Sequence, residues 1–260
     1  MLRTGLVVAL VTALPACGGA ADGSAEVGDR RAVVVLAAAS LTEPFTELAQ
    51  RFEATNPGSR VVLSFGPSSG LAQQVTQGAP ADVFAAANPA TMDVVVRSGR
   101  AVDPAVFARN RLQVAVPPGN PARISTLADL GRPGLKVALC QPSVPCGSAA
   151  ATVLRQAGLR VTAASQETDV RAVLVKVELG EVDAGLVYVS DVRSAGGRVR
   201  GIDIPPALNT TTTYPVAALR PLPQGPGSAD APRSAARAFV RLVRSAEGAQ
   251  ALRAAGFLAP

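Results

Sequence analysis

The sequence predicts an α/β protein of two lobes, each a mixed, mainly parallel sheet flanked by helices, with a ligand cleft between the lobes. Three observations lead there. β-Branched runs alternate with stretches of helical period from Val33 onward, an order that makes parallel strands joined by crossover helices. A second block of the same kind follows the cluster Pro117-Pro118-Gly119-Asn120-Pro121, and two helical stretches close the chain, so that block reads as an insertion into the first. Several helices also begin where a strand ends, which is where open α/β sheets hold ligands, anions most readily.

Val33-Val34-Val35-Leu36 has the continuous apolar character of a strand buried on both faces. Ala37-Ala38-Ala39 lets the backbone pass closely into a turn. Ser40 and Glu43 then have capping-box spacing, with Pro44 in the first turn of the helix they would start. Over 42–55, Phe45, Leu48, Ala49 and Phe52 recur at helical spacing until Asn56-Pro57-Gly58 stops them. A strand over 60–65, a turn at Gly66-Pro67-Ser68-Ser69-Gly70, a helix over 71–77, a strand over 82–87 and a helix over 89–98 complete the first run. A strand over 111–116 leads into the proline cluster.

The second block holds a short helix near 127–130, a strand over 136–139 and a helix over 148–157 stopped by Gly158. Thr168 or Asp169 caps the next helix, with Val170, Val173, Leu174 and Val177 on one face, and strands follow over 184–189 and 199–204. An extended stretch over 210–219 contains Tyr214-Pro215, and 233–257 reads as two helices. The chain would then cross between lobes near 110–114 and 213–215, which assigns 31–112 and 215–260 to lobe 1 and 113–214 to lobe 2.

Ahead of these elements, residues 1–17 have the form of an export signal: Arg3, a short apolar core from Gly5 to Leu14, and Leu14-Pro15-Ala16-Cys17, which resembles the lipobox of bacterial lipoproteins. Cys17 would be the lipidated residue after cleavage, holding the protein at the outer face of the cytoplasmic membrane. Residues 18–30, rich in Gly, Ala, Ser and Asp, read as a flexible tether, one that reaches roughly 20 Å as a random coil. In an exported chain, Cys140 and Cys146 suit a disulfide, with two free thiols as the alternative.

Composition excludes more than it assigns. The chain has no histidine, which removes Ser-His and Cys-His catalysis and every histidine-ligated metal site. The net charge of +6 is carried almost wholly by scattered arginines, since Lys136 and Lys176 are the only lysines; without interleaved aromatics this is a poor nucleic-acid surface. No Ser-x-x-Lys occurs, so serine–lysine hydrolysis has no support either. The reading is a binding protein and not an enzyme, a monomer needing no cofactor.

What it binds is suggested by its helix starts. Ser40, Ser68, Cys146-Gly147 and Asp169-Val170 each open a helix and present unpaired amides at the positive end of a helix dipole. Tyr188, at the end of a predicted strand, adds a hydroxyl. All of these donors are neutral, which suits an oxyanion held by dipoles.

Ala37-Ala38-Ala39-Ser40-Leu41-Thr42, Gly78-Ala79-Pro80-Ala81-Asp82-Val83-Phe84, Val144-Pro145-Cys146-Gly147, and Asp169-Val170-Arg171-Ala172 with Gly185-Leu186-Val187-Tyr188 resemble the periplasmic molybdate-binding proteins of ABC importers. The resemblance runs from about residue 32 to Phe257. It implies the periplasmic-binding-protein type II fold, molybdate or tungstate as ligand, and the importer's transmembrane permease as partner. It further implies that the oxyanion is held by the hydroxyls of Ser40, Ser68 and Tyr188 and the amides of Cys146 and Val170. Two departures stand out: Pro67 has no amide to lend, and Cys146 replaces a smaller side chain at a position that contributes only backbone. Sulfate, thiosulfate or another small anion is the alternative ligand class.

Overall fold

The computed structural model describes residues 32–222 and 233–260. The readings of 1–17 as a lipoprotein signal ending at Cys17 and of 18–30 as a tether lie outside the described residues. In chain order the elements are β1 (Val33–Ala38), α1 (Thr42–Thr55), β2 (Val61–Gly66), α2 (Ser68–Thr76), β3 (Val83–Ala85), α3 (Pro89–Arg97) and β4 (Ala101–Val116). Then follow β5 (Val137–Cys140), α4 (Pro145–Gln156), β6 (Ser165–Glu167), α5 (Val170–Glu178), β7 (Ala184–Tyr188), α6 (Val189–Ser194), β8 (Arg200–Asp203), β9 (Thr211–Leu219), α7 (Ser234–Val243) and α8 (Ala246–Ala254). Single 3-10 turns occupy Ala39–Leu41 and Leu127–Gly131.

The strands join in the order β2-β1-β3-β9-β4-β7-β5-β6, with β8 also paired to β4. Strands β1, β2 and β3 are parallel, and so are β5, β6 and β7, whereas β4, β8 and β9 run antiparallel to their neighbours. Both parallel triplets are covered by helices on their two faces, and side-chain alternation shows it. In β1, Val35 and Ala37 enter the core under α1, α7 and α8, while Leu36 enters the one under α2 and α3. Val83 and Ala85 divide from Phe84 in β3 in the same way. A separate core, from Leu112 to Ile204, is built by β4, β5, β7, β8, α4 and α5.

The two sets of cores meet along β4 and β9. Strand β4 changes partners there: up to Arg111 it pairs with β9, from Leu112 with β7, and from Gln113 with β8 as well. The segments read as crossings, 110–114 and 213–215, lie on these two strands. The few aromatics concentrate at the same place. Phe52, Phe239, Phe45, Phe107, Tyr214, Phe257 and Tyr188 form one connected string of tilted and edge-on ring contacts, with centroids 5.2–6.4 Å apart.

The structure corrects several local readings. Strand β4 begins at Ala101, not 111; Pro104 falls within the first of its two register shifts, between Val102 and Ala105, next to Asp103 with φ 44°. Helix α2 starts at Ser68 and α4 at Pro145, each three residues earlier than expected, because a proline can precede or occupy the first helical position. β6 and α6 were not anticipated; both are short. Ser40 does not cap α1: it lies within the 3-10 turn, α1 has no side-chain cap, and Glu43 pairs elsewhere.

Candidate anion-binding site

Each proposed donor is placed by a strand that ends and a helix that begins. Ser40 follows β1 directly and is 3% exposed. Its Oγ lies 3.0 Å from the hydroxyl of Tyr214, which is fully buried on β9. Ser68 is the first residue of α2, after β2 and Pro67. Its Oγ accepts the Ala87 N–H at 3.1 Å, just beyond the end of β3. One lone pair is thereby engaged, and the hydroxyl proton is left to point elsewhere.

Cys146 is the second residue of α4, and its sulfur is bonded to Cys140 at the end of β5. The loop between them folds tightly over the helix start. A Cβ on Gly147 would lie 1.9 Å from the Gln141 carbonyl oxygen, so only glycine fits there. Val170 opens α5. Asp169 caps that helix, its Oδ1 accepting from Arg171 N at 2.9 Å and Ala172 N at 3.0 Å. The cap leaves the Val170 amide, like that of Cys146, without an acceptor inside its helix.

Tyr188 ends β7 and is 1% exposed. Its hydroxyl makes no well-formed hydrogen bond among the described residues, but the Thr212 and Tyr214 hydroxyls stand near enough to interact with it. A buried hydroxyl without a well-formed bond costs up to about 1–3 kcal/mol, so it marks a group awaiting one. Burial raises the phenol's pKa well above its ordinary value, with Thr212 offsetting part of the rise. Tyr188 therefore keeps its proton and acts as a donor.

Ser40, Ser68, Cys146, Val170 and Tyr188 all line one small cavity. The five residues proposed as oxyanion donors therefore share one cavity wall; Cys140 is not on it, and Cys17 lies outside the described residues. The remaining wall is mostly small and apolar, including Ala38, Ala39, Gly66, Pro67, Ala87, Val144 and Pro145. Its one charged side chain, Asp169, is committed to capping α5. An anion there would meet hydroxyl protons and the positive ends of α2, α4 and α5 without facing a full positive charge. Such a set binds and orients; it offers no nucleophile with an adjacent base.

Three supporting residues escaped sequence reading. Tyr214 was seen only as part of a crossing, although it is one of two tyrosines in the chain. Ala87 acts through its amide, which carries no sequence signal. Asp191, 1% exposed in α6, accepts the Tyr188 N–H at 2.8 Å, and burial pushes its carboxyl up to about 7.

Comparison with known proteins agrees with this geometry. Residues 33–258 match the family model described as bacterial extracellular solute-binding protein. The molybdate-binding protein ModA of Mycobacterium tuberculosis H37Rv is 44% identical over 264 aligned positions, covering 100% of this chain and 98% of the relative. ModA of Escherichia coli K12 is 32% identical over 203 positions, covering 74% of this chain and 78% of the relative. Among solved structures, the periplasmic molybdate-binding protein of Azotobacter vinelandii superposes with a TM-score of 0.71 at 21% identity, covering 88% of this chain and 99% of that one. The sulfate-binding protein SubI of M. tuberculosis H37Rv gives 0.72 at 18% identity, covering 87% and 86%. At such identities these superpositions establish the fold, the mixed α/β periplasmic-binding-protein architecture. The chain belongs to the bacterial extracellular solute-binding proteins, a family of binders and not enzymes, and within it to the molybdate-binding group.

Proposed function

We propose that this protein captures molybdate, and tungstate with it, outside the cytoplasmic membrane and hands the anion to an ABC importer's permease by closing its cleft. The observation that carries the reading is the Tyr188 hydroxyl: buried, protonated and without a well-formed hydrogen bond among the described residues, it lines the same cavity as two buried serine hydroxyls and the starts of three helices. Ser40 and Ser68 come from elements of the first cores, and Cys146, Val170 and Tyr188 from the core between Leu112 and Ile204. A tetrahedral dianion with four oxygens can engage donors from both sides at once, which favours the closed arrangement over an open one. Lipid on Cys17 would keep the carrier beside its permease, and Cys17→Ser should release it from the membrane fraction.

Sulfate is the competing ligand, because it too is an unprotonated dianion at neutral pH. It is smaller, and reaching donors on both sides of the cleft would leave at least one charge-assisted bond long or unmade. That loss is about 1.5–3 kcal/mol, or roughly ten- to a hundred-fold in affinity. Calorimetric titration of the purified protein with molybdate, tungstate, sulfate, thiosulfate and phosphate tests the proposal. Molybdate and tungstate should bind alike, with sulfate well behind them. Equal affinity for sulfate, or no heat with molybdate, would overturn it.

A further inference from the structure

We infer that Tyr214 is a specificity-determining residue of this site: its hydroxyl proton goes to Ser40 Oγ, which sets Ser40 as a donor toward the bound anion and disfavours anions that carry a proton of their own. The inference rests on the oxyanion reading above. It starts from an asymmetry between the two serines. Ser68 Oγ accepts a backbone amide, that of Ala87, and an amide can only donate. The direction of that bond is fixed, and Ser68 is left with a proton to give. Ser40 Oγ instead faces a hydroxyl, the Tyr214 phenol at 3.0 Å, and either oxygen could supply the proton.

Chemistry and surroundings choose between the two directions. A phenol is more acidic than an aliphatic alcohol and is the better donor of the two, and burial keeps the Tyr214 phenol in its neutral, donating form. If Ser40 donated to Tyr214, a serine lone pair would face the anion from a buried position. With Tyr214 donating, the chain Tyr214→Ser40→anion runs in one direction, and each bond polarises the next. Position supports the role. Tyr214 is 0% exposed, its strand runs along the seam between the cores, and its ring packs edge-on against that of Tyr188, centroids 6.0 Å apart. A single side chain therefore orients one donor hydroxyl through a hydrogen bond and backs a second through its ring.

Selectivity follows. Phosphate near neutral pH keeps at least one proton, and that P–OH needs an acceptor inside the site. With Ala87 and Tyr214 donating to them, the Ser68 and Ser40 oxygens turn their protons inward and each keeps one lone pair fewer for a P–OH, which leaves Asp169, tied to the start of α5 through Oδ1, as the one carboxylate on the cavity wall. Removing the Tyr214 hydroxyl frees Ser40 to rotate and accept. The Tyr214→Phe variant should thus bind molybdate about ten-fold more weakly while losing less affinity, or none, for phosphate.

The experiment is a double-mutant cycle of Tyr214→Phe and Ser40→Ala, titrated with molybdate, sulfate and phosphate, with thermal melts of the four unliganded proteins. Tyr214→Phe should narrow the molybdate-to-phosphate ratio and have no further effect in the Ser40→Ala background. The melts give a readout independent of ligand: Ser40→Ala removes the hydroxyl 3.0 Å from the buried Tyr214 hydroxyl and lowers the melting temperature, and adding Tyr214→Phe recovers part of the loss. Additive effects on binding, an unchanged ratio, or no recovery in the double variant's melt would overturn the role of Tyr214. If the wild type prefers sulfate, the molybdate reading fails, and the cycle read on sulfate still decides the inference about Tyr214. A wild type that takes up none of the three anions overturns both.

Discussion

Glu43 and Arg171 form an ion pair, 2.9 Å between Oε1 and Nη1, that joins the helix following Ser40 to the helix opened by Val170. Arg171 also donates to Ser194 Oγ at 2.7 Å, which anchors it on its own side. The pair ties together two elements that carry proposed donors, and neither side chain lines the cavity. Both side chains are partly exposed, at 42% and 31%, so the pair is worth no more than about 1 kcal/mol. Its effect on binding should act through the share of molecules that are closed, and that share scales every ligand alike. Glu43→Gln is expected to weaken molybdate and sulfate by the same factor, about two- to five-fold, in calorimetry. A change in the ratio between the two anions would show that the pair acts on the ligand directly.

Tyr188→Phe should separate binding from stability. The Tyr188 hydroxyl lines the ligand cavity and stands beside the Thr212 and Tyr214 hydroxyls, so the unliganded variant should keep the fold and melt within a few degrees of the wild type. The same change removes a donor from the site and should weaken molybdate roughly ten- to a hundred-fold. Scanning calorimetry with and without molybdate measures both effects. A variant that binds molybdate normally would contradict the assignment of Tyr188.

How much of this was legible in the sequence depended on whether the signal was local. Helix α1 was read to the residue, because Phe45, Leu48, Ala49 and Phe52 mark one face and Asn56-Pro57-Gly58 marks the end. The β1–turn–α1 arrangement was equally plain. The first half of β4 was not, since Pro104 argues against a strand and only the pairing with β9 and its bulges accommodates it. Ser40 shows the limit most clearly. Its spacing from Glu43 fits a cap, yet the 3-10 turn leaves its hydroxyl to a tyrosine 174 residues away. The five proposed site residues were legible as a set through the helix starts expected at Ser40, Ser68, Cys146 and Val170, the rarity of tyrosine, and the resemblance to molybdate-binding proteins. Tyr214, Ala87 and Asp191 depend on long-range packing or backbone amides, which spacing cannot reveal.

The Cys140–Cys146 bridge closes the loop that leads into α4, whose second residue is the proposed amide donor. Closing so short a loop stabilises the fold by about 2 kcal/mol on the chain-entropy model. It should also hold the Cys146 amide in place before the anion arrives, which lowers the ordering cost of binding. The double variant Cys140→Ser/Cys146→Ser keeps both backbone amides. It is expected to melt several degrees lower and to bind molybdate several-fold more weakly, and mild reduction of the wild type should reproduce the binding loss. Unchanged affinity with a lowered melting temperature would confine the bridge to stability.

Asp191 gives the fold a pH dependence with a definite sign. Burial raises its carboxyl to about 7, and Glu43 and Asp169 push the same way, while the Tyr188 N–H and Arg171 oppose them. An unfolded aspartate titrates near 3.9, so between about pH 4 and 7 the folded chain holds a proton that the unfolded chain has released. This contribution is fully present below the unfolded value and is lost as pH rises through the folded one. The wild type should therefore resist urea better at pH 5 than at pH 8. No histidine titrates in that interval to mask the effect. Asp191→Asn keeps an oxygen to accept the Tyr188 N–H but cannot ionise, and its stability should be nearly level over the same range. If urea midpoints for the wild type rise from pH 5 to pH 8, or if Asp191→Asn retains the slope, Asp191 does not carry the proton.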